Sequence, residues 1–195
     1  MKLKLIIVRH GETEENARKI LMGHLHGHLS RKGRQQAKEV GLALRNYDLD
    51  RIYSSDLSRA IDTTNAISKH HNDVSITYSK ALREQSYGIF QGKKLHLMLN
   101  HPDYIRLRDK FRPKGGESLN QLRARVYRLI KGLAKKYPND TILLSAHSGI
   151  ACSIFSICSG LPMWDAVRKK ARNTGILVVE MKKDGLKILK DDMFE

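Results

Sequence analysis

An arginine and a histidine stand side by side where the first apolar run of the chain ends, in Val8-Arg9-His10-Gly11-Glu12-Thr13. Phosphoryl transfer needs cations around the non-bridging oxygens, an in-line nucleophile and a proton donor for the leaving oxygen. Arg9 is such a cation, His10 is such a nucleophile, and Gly11 lets the backbone approach a phosphate closely. A single Arg-His pair is more often an ion-paired or hydrogen-bonded surface dipeptide, so this interpretation depends on other segments.

Three other segments carry side chains suited to the same chemistry. Arg59 falls in the first turn of a predicted helix, and a helix N-terminus beside an arginine binds phosphate. His147 follows an apolar strand and should emerge beside His10. Glu84 lies in a turn-rich stretch, and a carboxylic acid near a leaving oxygen can protonate it. Taken singly, these residues also fit an exposed helix start, a core histidine and a surface glutamate.

Alternating strands and helices predict the framework that brings these segments together. Apolar and β-branched runs predict strands at 3–8, 51–54, 74–78, 141–146, 176–181 and 186–189. Amphipathic spacing predicts helices at 30–47, 57–70 and 118–137, with Ser30 as an N-cap and with Ser118 and Gln121 as a capping box. An apolar helix starts near Ile150. This order indicates a layered α/β fold, and the lack of repeats and linkers predicts one domain over residues 1–195.

Composition narrows the classes of protein. The formal net charge is +16, with Lys and Arg spread over almost every segment. We interpret this charge as a solvated basic surface that attracts small anionic substrates, in preference to a nucleic-acid footprint, because an aromatic cluster of the RNA-binding kind is missing. No run approaches the roughly 20 apolar residues of a membrane span, and the N-terminus lacks a secretory signal pattern. We therefore expect a soluble, cytoplasmic protein with no membrane partner.

The cysteines and the tryptophan fit the interior of such a protein. Cys152 and Cys158 lie in an apolar stretch and are expected to be core thiols without a disulfide. Trp164, near Pro162, fits a core aromatic better than an interface patch, and a homodimer is left open.

Taken together, the segments resemble the ordered motif series of the histidine phosphatase superfamily, branch 1, which includes the phosphoglycerate-mutase-like proteins. The resemblance covers residues 5–149 and rests on order and spacing. It implies a three-layer sandwich with a mostly parallel central sheet flanked by helices. The matching segments are Arg9-His10-Gly11-Glu12-Thr13, Ser54-Ser55-Asp56-Leu57-Ser58-Arg59-Ala60, Leu82-Arg83-Glu84 with Tyr87-Gly88 and Gly92, Gly116-Glu117-Ser118, and His147.

The resemblance also implies a role for each matching residue. His10 is expected to attack phosphorus and become phosphorylated, and no metal is required. Glu84 is expected to protonate the leaving group and then activate water or an acceptor. The expected phosphate or substrate contacts are Arg9, Gly11, Asn16, Gly23 in the substrate loop, Arg59, His147, and the backbone of Ser148.

The substrate loop, residues 22–29, departs from the family. It reads Met-Gly-His-Leu-His-Gly-His-Leu where the family has Gln-Gly-His followed by Asp and Pro. His24, His26 and His28 alternate, which raises a metal site as an alternative. We interpret the segment as a flexible basic loop because no Cys or carboxylate joins the three histidines within it.

Phosphatase and mutase share the phosphohistidine and differ in the phosphoryl acceptor. Cofactor-dependent mutases have Arg and Lys where this chain has Gln85 and Leu95, and they carry a longer insertion than the one between Gly92 and Gly116. We therefore predict a cofactor-free phosphatase acting on a small phosphorylated substrate. The alternative is a 2,3-bisphosphoglycerate-dependent phosphoglycerate mutase in which other cations replace the missing ones, namely Lys93, Lys94, Arg106, Arg108, Lys110, Arg112 and Lys114.

Overall fold

The computed structural model describes residues 2–182 and 185–194. A six-stranded sheet forms its centre. Its strands are β1 (Leu3–Arg9), β2 (Arg51–Ser54), β3 (Ile76–Tyr78), β4 (Thr141–Ala146), β5 (Ile176–Lys182) and β6 (Gly185–Asp191). They lie in the order β3-β2-β4-β1-β5-β6. The first four are parallel, whereas β5 runs antiparallel to β1, and β6 antiparallel to β5.

Helices cover both faces of the sheet. They are α1 (Glu14–Ala17), α2 (Arg31–Leu44), α3 (Ser58–Ser68), α4 (Leu95–Leu99), α5 (Pro102–Leu107), α6 (Leu119–Lys136), α7 (Ser148–Ser159) and α8 (Met163–Ala166). Successive side chains of β1 alternate between two cores, as the pleat of a strand requires. Leu5 and Ile7 pack with α6 and α7, whereas Ile6 and Val8 pack with α2 and α3. This is the three-layer α/β arrangement, with a mostly parallel sheet, that the sequence predicted.

Local side-chain hydrogen bonds fix the starts of the long helices. Ser30 Oγ accepts from the Gly33 backbone N–H at 3.0 Å, which confirms the predicted N-cap of α2. Ser118 Oγ accepts from Gln121 N at 3.2 Å, and Gln121 Oε1 accepts from Ser118 N at 2.9 Å. The predicted capping box of α6 is therefore confirmed.

Several boundaries differ from the sequence prediction, among them the end of α2, which falls at Leu44 and not at Tyr47. Helix α7 begins at Ser148, two residues early, directly after His147, which has an extended conformation. Strand β3 begins at Ile76 because Val74 closes a turn by donating its N–H to His71 O at 3.1 Å. The start of α3 receives no side-chain cap from Leu57, the residue before it.

The segment between Gly92 and Gly116, here called the lid, contains α4 and α5. It packs around a small cluster in which Met98 and Phe111 of the lid join Leu21 and Phe90 from outside it. Tyr104 of α5 packs against Trp164 of α8 in a tilted arrangement, with ring centroids 5.0 Å apart, and the tryptophan is half-buried between the lid and the main body. Among the described residues, no helix combines the length and apolar composition needed to cross a membrane.

Candidate active site

His10 follows β1 and is held on three sides. Its N–H donates to Ala146 O of the neighbouring strand at 2.9 Å, and its carbonyl accepts from Asn173 Nδ2 at 2.9 Å. Ring Nδ1 lies 2.7 Å from Gly11 O. Since a carbonyl oxygen can only accept, Nδ1 carries the proton, and the lone pair is on Nε2. The side chain is buried but borders a cavity between β1 and the rest of the site.

Burial and neighbouring cations keep this imidazole neutral. Burial lowers the pKa of His10 well below its ordinary value near 6.5, and the positive charges of Arg59 and Arg9 lower it further. The hydrogen bond to Gly11 opposes the shift only in part. A neutral ring with a free Nε2 lone pair is the form that can act as a nucleophile.

Arg59 is almost fully buried, with 1% of its surface exposed, and it ties the substrate loop to the site. Its Nη1 donates to Leu25 O and its Nη2 to Gly23 O, both at 2.8 Å. These two contacts leave three of the five N–H donors of this guanidinium unused, and the side chain borders the cavity. Arg9 borders the cavity as well. It donates to Ala171 O, while its buried Nε has no hydrogen-bond partner in the described residues.

His147 lies behind His10, with ring centroids 5.1 Å apart. Its Nε2 is 2.8 Å from Ser55 Oγ, and its buried Nδ1 has no partner among the described residues. Burial lowers the pKa of His147 well below 6.5, and Arg59, His10 and Arg9 lower it further. Two neutral imidazoles and two guanidinium groups therefore meet where β1 and β4 end, as the sequence predicted from the parallel register.

Glu84 faces the same site from the other side. Its Oε1 accepts from Gly149 N at 3.0 Å and from Gln85 N at 2.8 Å, and its Oε2 lies 3.3 Å from Gly149 N. The carboxyl group therefore sits at the N-terminus of α7, where the exposed backbone N–H groups favour negative charge. A Cβ at Gly149 would lie 2.2 Å from Oε1, so only glycine permits this approach.

Arg125 of α6 anchors the segment that carries Glu84. Its guanidinium donates to three backbone carbonyls of the segment that ends at Glu84. These are Ala81 O at 2.7 Å, Arg83 O at 3.0 Å and Glu84 O at 3.3 Å. It also forms a two-point ion pair with Glu117, whose Oε1 in turn accepts from the Ser86 N–H. These contacts fix the backbone on both sides of Glu84.

The cavity has a volume of about 570 Å³. At its polar end lie Arg9, His10, Asn16, Arg59, Glu84 and Ser148. Asn16 uses its Oδ1 to accept from Thr13 N at 3.3 Å, which leaves the amide Nδ2 available to a ligand. Gly23 lines the cavity too, with a φ of +52° that favours glycine.

Two of the predicted contacts, Gly11 and His147, do not border the cavity. The Gly11 N–H donates to Thr63 Oγ1 at 3.1 Å. A Cβ at Gly11 would lie 2.4 Å from the Gly33 carbonyl oxygen of α2. The structure therefore gives this glycine a packing reason, the close approach of two backbone segments, in place of the predicted approach to phosphate.

The three loop histidines diverge. His24 Nε2 is 2.9 Å from Glu84 O, His26 Nδ1 is 2.9 Å from Ser58 Oγ, and His28 Nδ1 is 3.5 Å from Asp62 Oδ2. Within the described ranges, no three His, Cys, Asp or Glu side chains are grouped to hold a metal ion. His24 instead adds a second contact between the substrate loop and the site, through the backbone carbonyl of Glu84.

The sequence reasoning missed two residues that shape the site. Asn173 borders the cavity and holds the carbonyl of His10, but it lies in a turn before β5 that belongs to no motif. Arg125 looked like one of many helical arginines, and only the fold brings it to the Glu84 segment. A distant residue of this kind leaves no local signal in the sequence.

The fold and the site together are those of one protein family. The sequence model of the histidine phosphatase superfamily (branch 1) matches residues 5–191, and the chain belongs to that superfamily. Its members are phosphatases or mutases.

Two relatives of similar sequence carry mutase names. Phosphoglycerate mutase-like protein 4 of Arabidopsis thaliana is 31% identical over 163 residues, covering 78% of this chain and 69% of that protein. The "Probable phosphoglycerate mutase GpmB" of Salmonella choleraesuis is 30% identical over 179 residues, covering 89% and 83%.

Solved structures share the fold over nearly the whole chain. A mycobacterial glucosyl-3-phosphoglycerate phosphatase has a TM-score of 0.85 at 23% identity, covering 99% of this chain and 100% of that chain. A phosphoserine phosphatase variant from Entamoeba histolytica, solved with phosphoserine, has a TM-score of 0.86 at 24% identity, covering 97% and 96%.

Proposed function

We propose that the chain is a phosphatase that hydrolyses a small phosphomonoester through a phosphohistidine on His10, without a metal ion. One observation carries the proposal. The Nε2 of His10 is free of a proton because Nδ1 donates to Gly11 O, and the ring borders a cavity beside two guanidinium groups. A neutral nucleophile flanked by cations suits attack on an anionic phosphoryl group.

In the first step, the Nε2 lone pair forms a bond to phosphorus and the ester P–O bond breaks. The leaving oxygen takes a proton from the Glu84 carboxyl group, and the product alcohol departs. Arg9, Arg59 and the amide of Asn16 hold the non-bridging oxygens, where negative charge is spread in the transition state.

His147 contributes from behind the nucleophile. Ser55 Oγ accepts from the Leu57 N–H at 3.3 Å, so its own proton is free to go to His147 Nε2. His147 Nδ1 then carries the proton, and it is the ring atom without a protein partner. We propose that this N–H donates a hydrogen bond to a phosphoryl oxygen of the substrate.

In the second step, water replaces the alcohol. Glu84, now a carboxylate, takes one proton from water while the water oxygen bonds to phosphorus. The bond from phosphorus to His10 Nε2 breaks, inorganic phosphate leaves, and both His10 and Glu84 return to their starting protonation states. A substrate that brings a proton on its phosphate supplies the first proton to Glu84, since phosphomonoesters lose their second proton near pH 6.

Trapping of acid-labile phosphate tests the proposal. Wild type is incubated with phenyl phosphate and, separately, with 3-phosphoglycerate plus 2,3-bisphosphoglycerate, and each reaction is quenched in alkali. We expect acid-labile phosphate, here called the label, on the wild-type protein and on the control variant His96→Ala, and none on His10→Ala. His96 is an exposed lid histidine outside the cavity. Vanadate should inhibit turnover, whereas a chelator should not. An unlabelled wild type, or a labelled His10→Ala protein, would overturn the phosphohistidine.

Mutase activity is the second candidate, and the named mutase relatives favour it. The lid argues against it. None of the lid cations considered as replacements borders the cavity. Lys94 Nζ donates to Arg18 O, Arg106 pairs with Asp103, and Arg112 Nε donates to Gly116 O. In the second incubation, isomerised product in excess of released phosphate would favour the mutase.

A further inference from the structure

The lid contributes apolar side chains to the cavity. Leu95, Met98 and Leu99 of α4 and Tyr104 of α5 border it, and Leu119 and Val167 continue the same wall from the main body. The cations Lys19 and Arg168 also border the cavity, but both are exposed, so water screens their charges. The cavity is therefore polar at His10 and mainly apolar beneath the lid, where the phenol of Tyr104 adds a polar group.

We propose, resting on the phosphatase function above, that the substrate is a phosphomonoester of an apolar alcohol, with an alkyl or aryl body under the lid. A phosphoryl group at His10 fills only part of about 570 Å³, and the remaining space has the size of a small-molecule site. An apolar body there loses contact with water and packs against Leu95, Met98 and Leu99. A second phosphate or a carboxylate in that space would lose its hydration without gaining a cation from the lid.

The position of the lid supports a leaving-group pocket. Backbone hydrogen bonds join it to the segment after α1: Leu21 N donates to Lys93 O at 2.9 Å, and Leu95 N donates to Lys19 O at 2.8 Å. In its middle, the lid contacts α8 through Tyr104 and Trp164. Fixed at these points, the wall presents Leu95 and Leu99 to whatever is attached to the phosphoryl group.

A series of n-alkyl phosphates from ethyl to octyl measures this contact. Simple primary alcohols have nearly equal leaving-group reactivity, so chain length changes contact with the pocket and little else. We expect kcat/KM to rise about threefold per added methylene group until the pocket is full. Glycerol 3-phosphate and 3-phosphoglycerate should be poorer substrates than butyl phosphate by about tenfold or more.

Leu99→Asn and Leu97→Asn are a matched pair, because both leucines are on α4 and similarly exposed, at 40% and 48%, but only Leu99 borders the cavity. Leu99→Asn should lower kcat/KM for hexyl phosphate about tenfold and leave ethyl phosphate nearly unchanged, whereas Leu97→Asn should change neither. If kcat/KM does not change with alkyl chain length while His10 is still labelled, the apolar leaving group alone is overturned. Equal effects of Leu99→Asn and Leu97→Asn would overturn it as well. Labelling of His10 by 3-phosphoglycerate but by no alkyl phosphate would likewise overturn the apolar leaving group alone, whereas no labelling by any phosphomonoester would overturn the phosphatase itself and this inference with it.

Discussion

Replacing Arg125 by methionine should impair the general acid without touching the nucleophile. The guanidinium holds three carbonyls on the chain leading to Glu84 and pairs with Glu117, and the two side chains are 20% and 18% exposed. Breaking a fully buried ion pair costs roughly 3–5 kcal/mol, and the partial exposure of this one reduces the expected loss of unfolding free energy to about 2–4 kcal/mol. The freed segment no longer fixes Glu84, and misplacement of a catalytic group by about 1 Å can slow a reaction roughly 100-fold.

Two substrates with different leaving groups separate positioning from general damage. Dinitrophenolate leaves without protonation, whereas an alkoxide needs a proton from Glu84. With enzyme in excess, the rate of His10 phosphorylation by hexyl phosphate should fall about 100-fold in Arg125→Met, and by 2,4-dinitrophenyl phosphate less than about fivefold. Glu84→Gln should show the same dependence on the leaving group.

Arg123→Met is the matched control, since Arg123 lies on the same helix and donates to Ser156 Oγ at 3.1 Å, away from Glu84. It should leave both phosphorylation rates within about twofold of wild type. Equal losses with the two substrates in Arg125→Met, measured well below its unfolding temperature, would show that Arg125 only stabilises the fold.

Three further predictions concern packing and protonation. Gly11→Ala forces a Cβ against a backbone carbonyl at 2.4 Å and should lower the free energy of unfolding by about 1–3 kcal/mol in urea, whereas Gly132→Ala, in open space on α6, should raise it by about 0.5–1 kcal/mol. His147 stays neutral in the folded protein, whereas below pH 6.5 the unfolded chain binds a proton on this residue. The free energy of unfolding therefore decreases as the pH is lowered. Between pH 6.5 and 5, the free energy of unfolding of His147→Gln should decrease less steeply than that of wild type, by up to about 1.4 kcal/mol per pH unit. The exposed-site control His96→Gln should keep the wild-type slope, and equal slopes in all three proteins would contradict this prediction. Burial raises the pKa of Cys152 to about 12, so iodoacetamide at pH 8 should alkylate it only after unfolding; labelling of the native protein would refute its burial.

The parts of the site that follow strands were predictable from the sequence. His10, Arg59 and His147 each come just after an apolar run, and parallel strands place such positions at one edge of the sheet. Amphipathic periodicity and the Ser30 cap were equally local signals. The boundaries shifted where a turn or an extended residue, such as His147, decided the start of the element.

The supports of the site were not predictable in the same way. Asn173 and Arg125 act through contacts separated from their targets by 163 and by 41 to 44 residues, and no periodicity encodes such pairs. The lid shows the same limit. The positive charge of the lid suggested cations directed at the substrate. In the structure, leucines of the lid border the cavity, and Arg106 and Lys94 have partners outside the cavity.

The electrostatics of the polar end link substrate attraction to activation of the nucleophile. Arg9 and Arg59 bring two positive charges to its wall. Of the two carboxylates that border the cavity, Glu12 is paired with Lys32 and Glu84 faces the site, so an anionic phosphoryl group complements the remaining charge. The same two cations lower the pKa of His10 and keep Nε2 free to attack. Since Coulombic effects act in both directions, a bound phosphate favours protonation of the imidazoles that the arginines keep neutral. Attraction of the substrate and deprotonation of the nucleophile therefore depend on one pair of guanidinium groups, and a change at Arg59 alters both together.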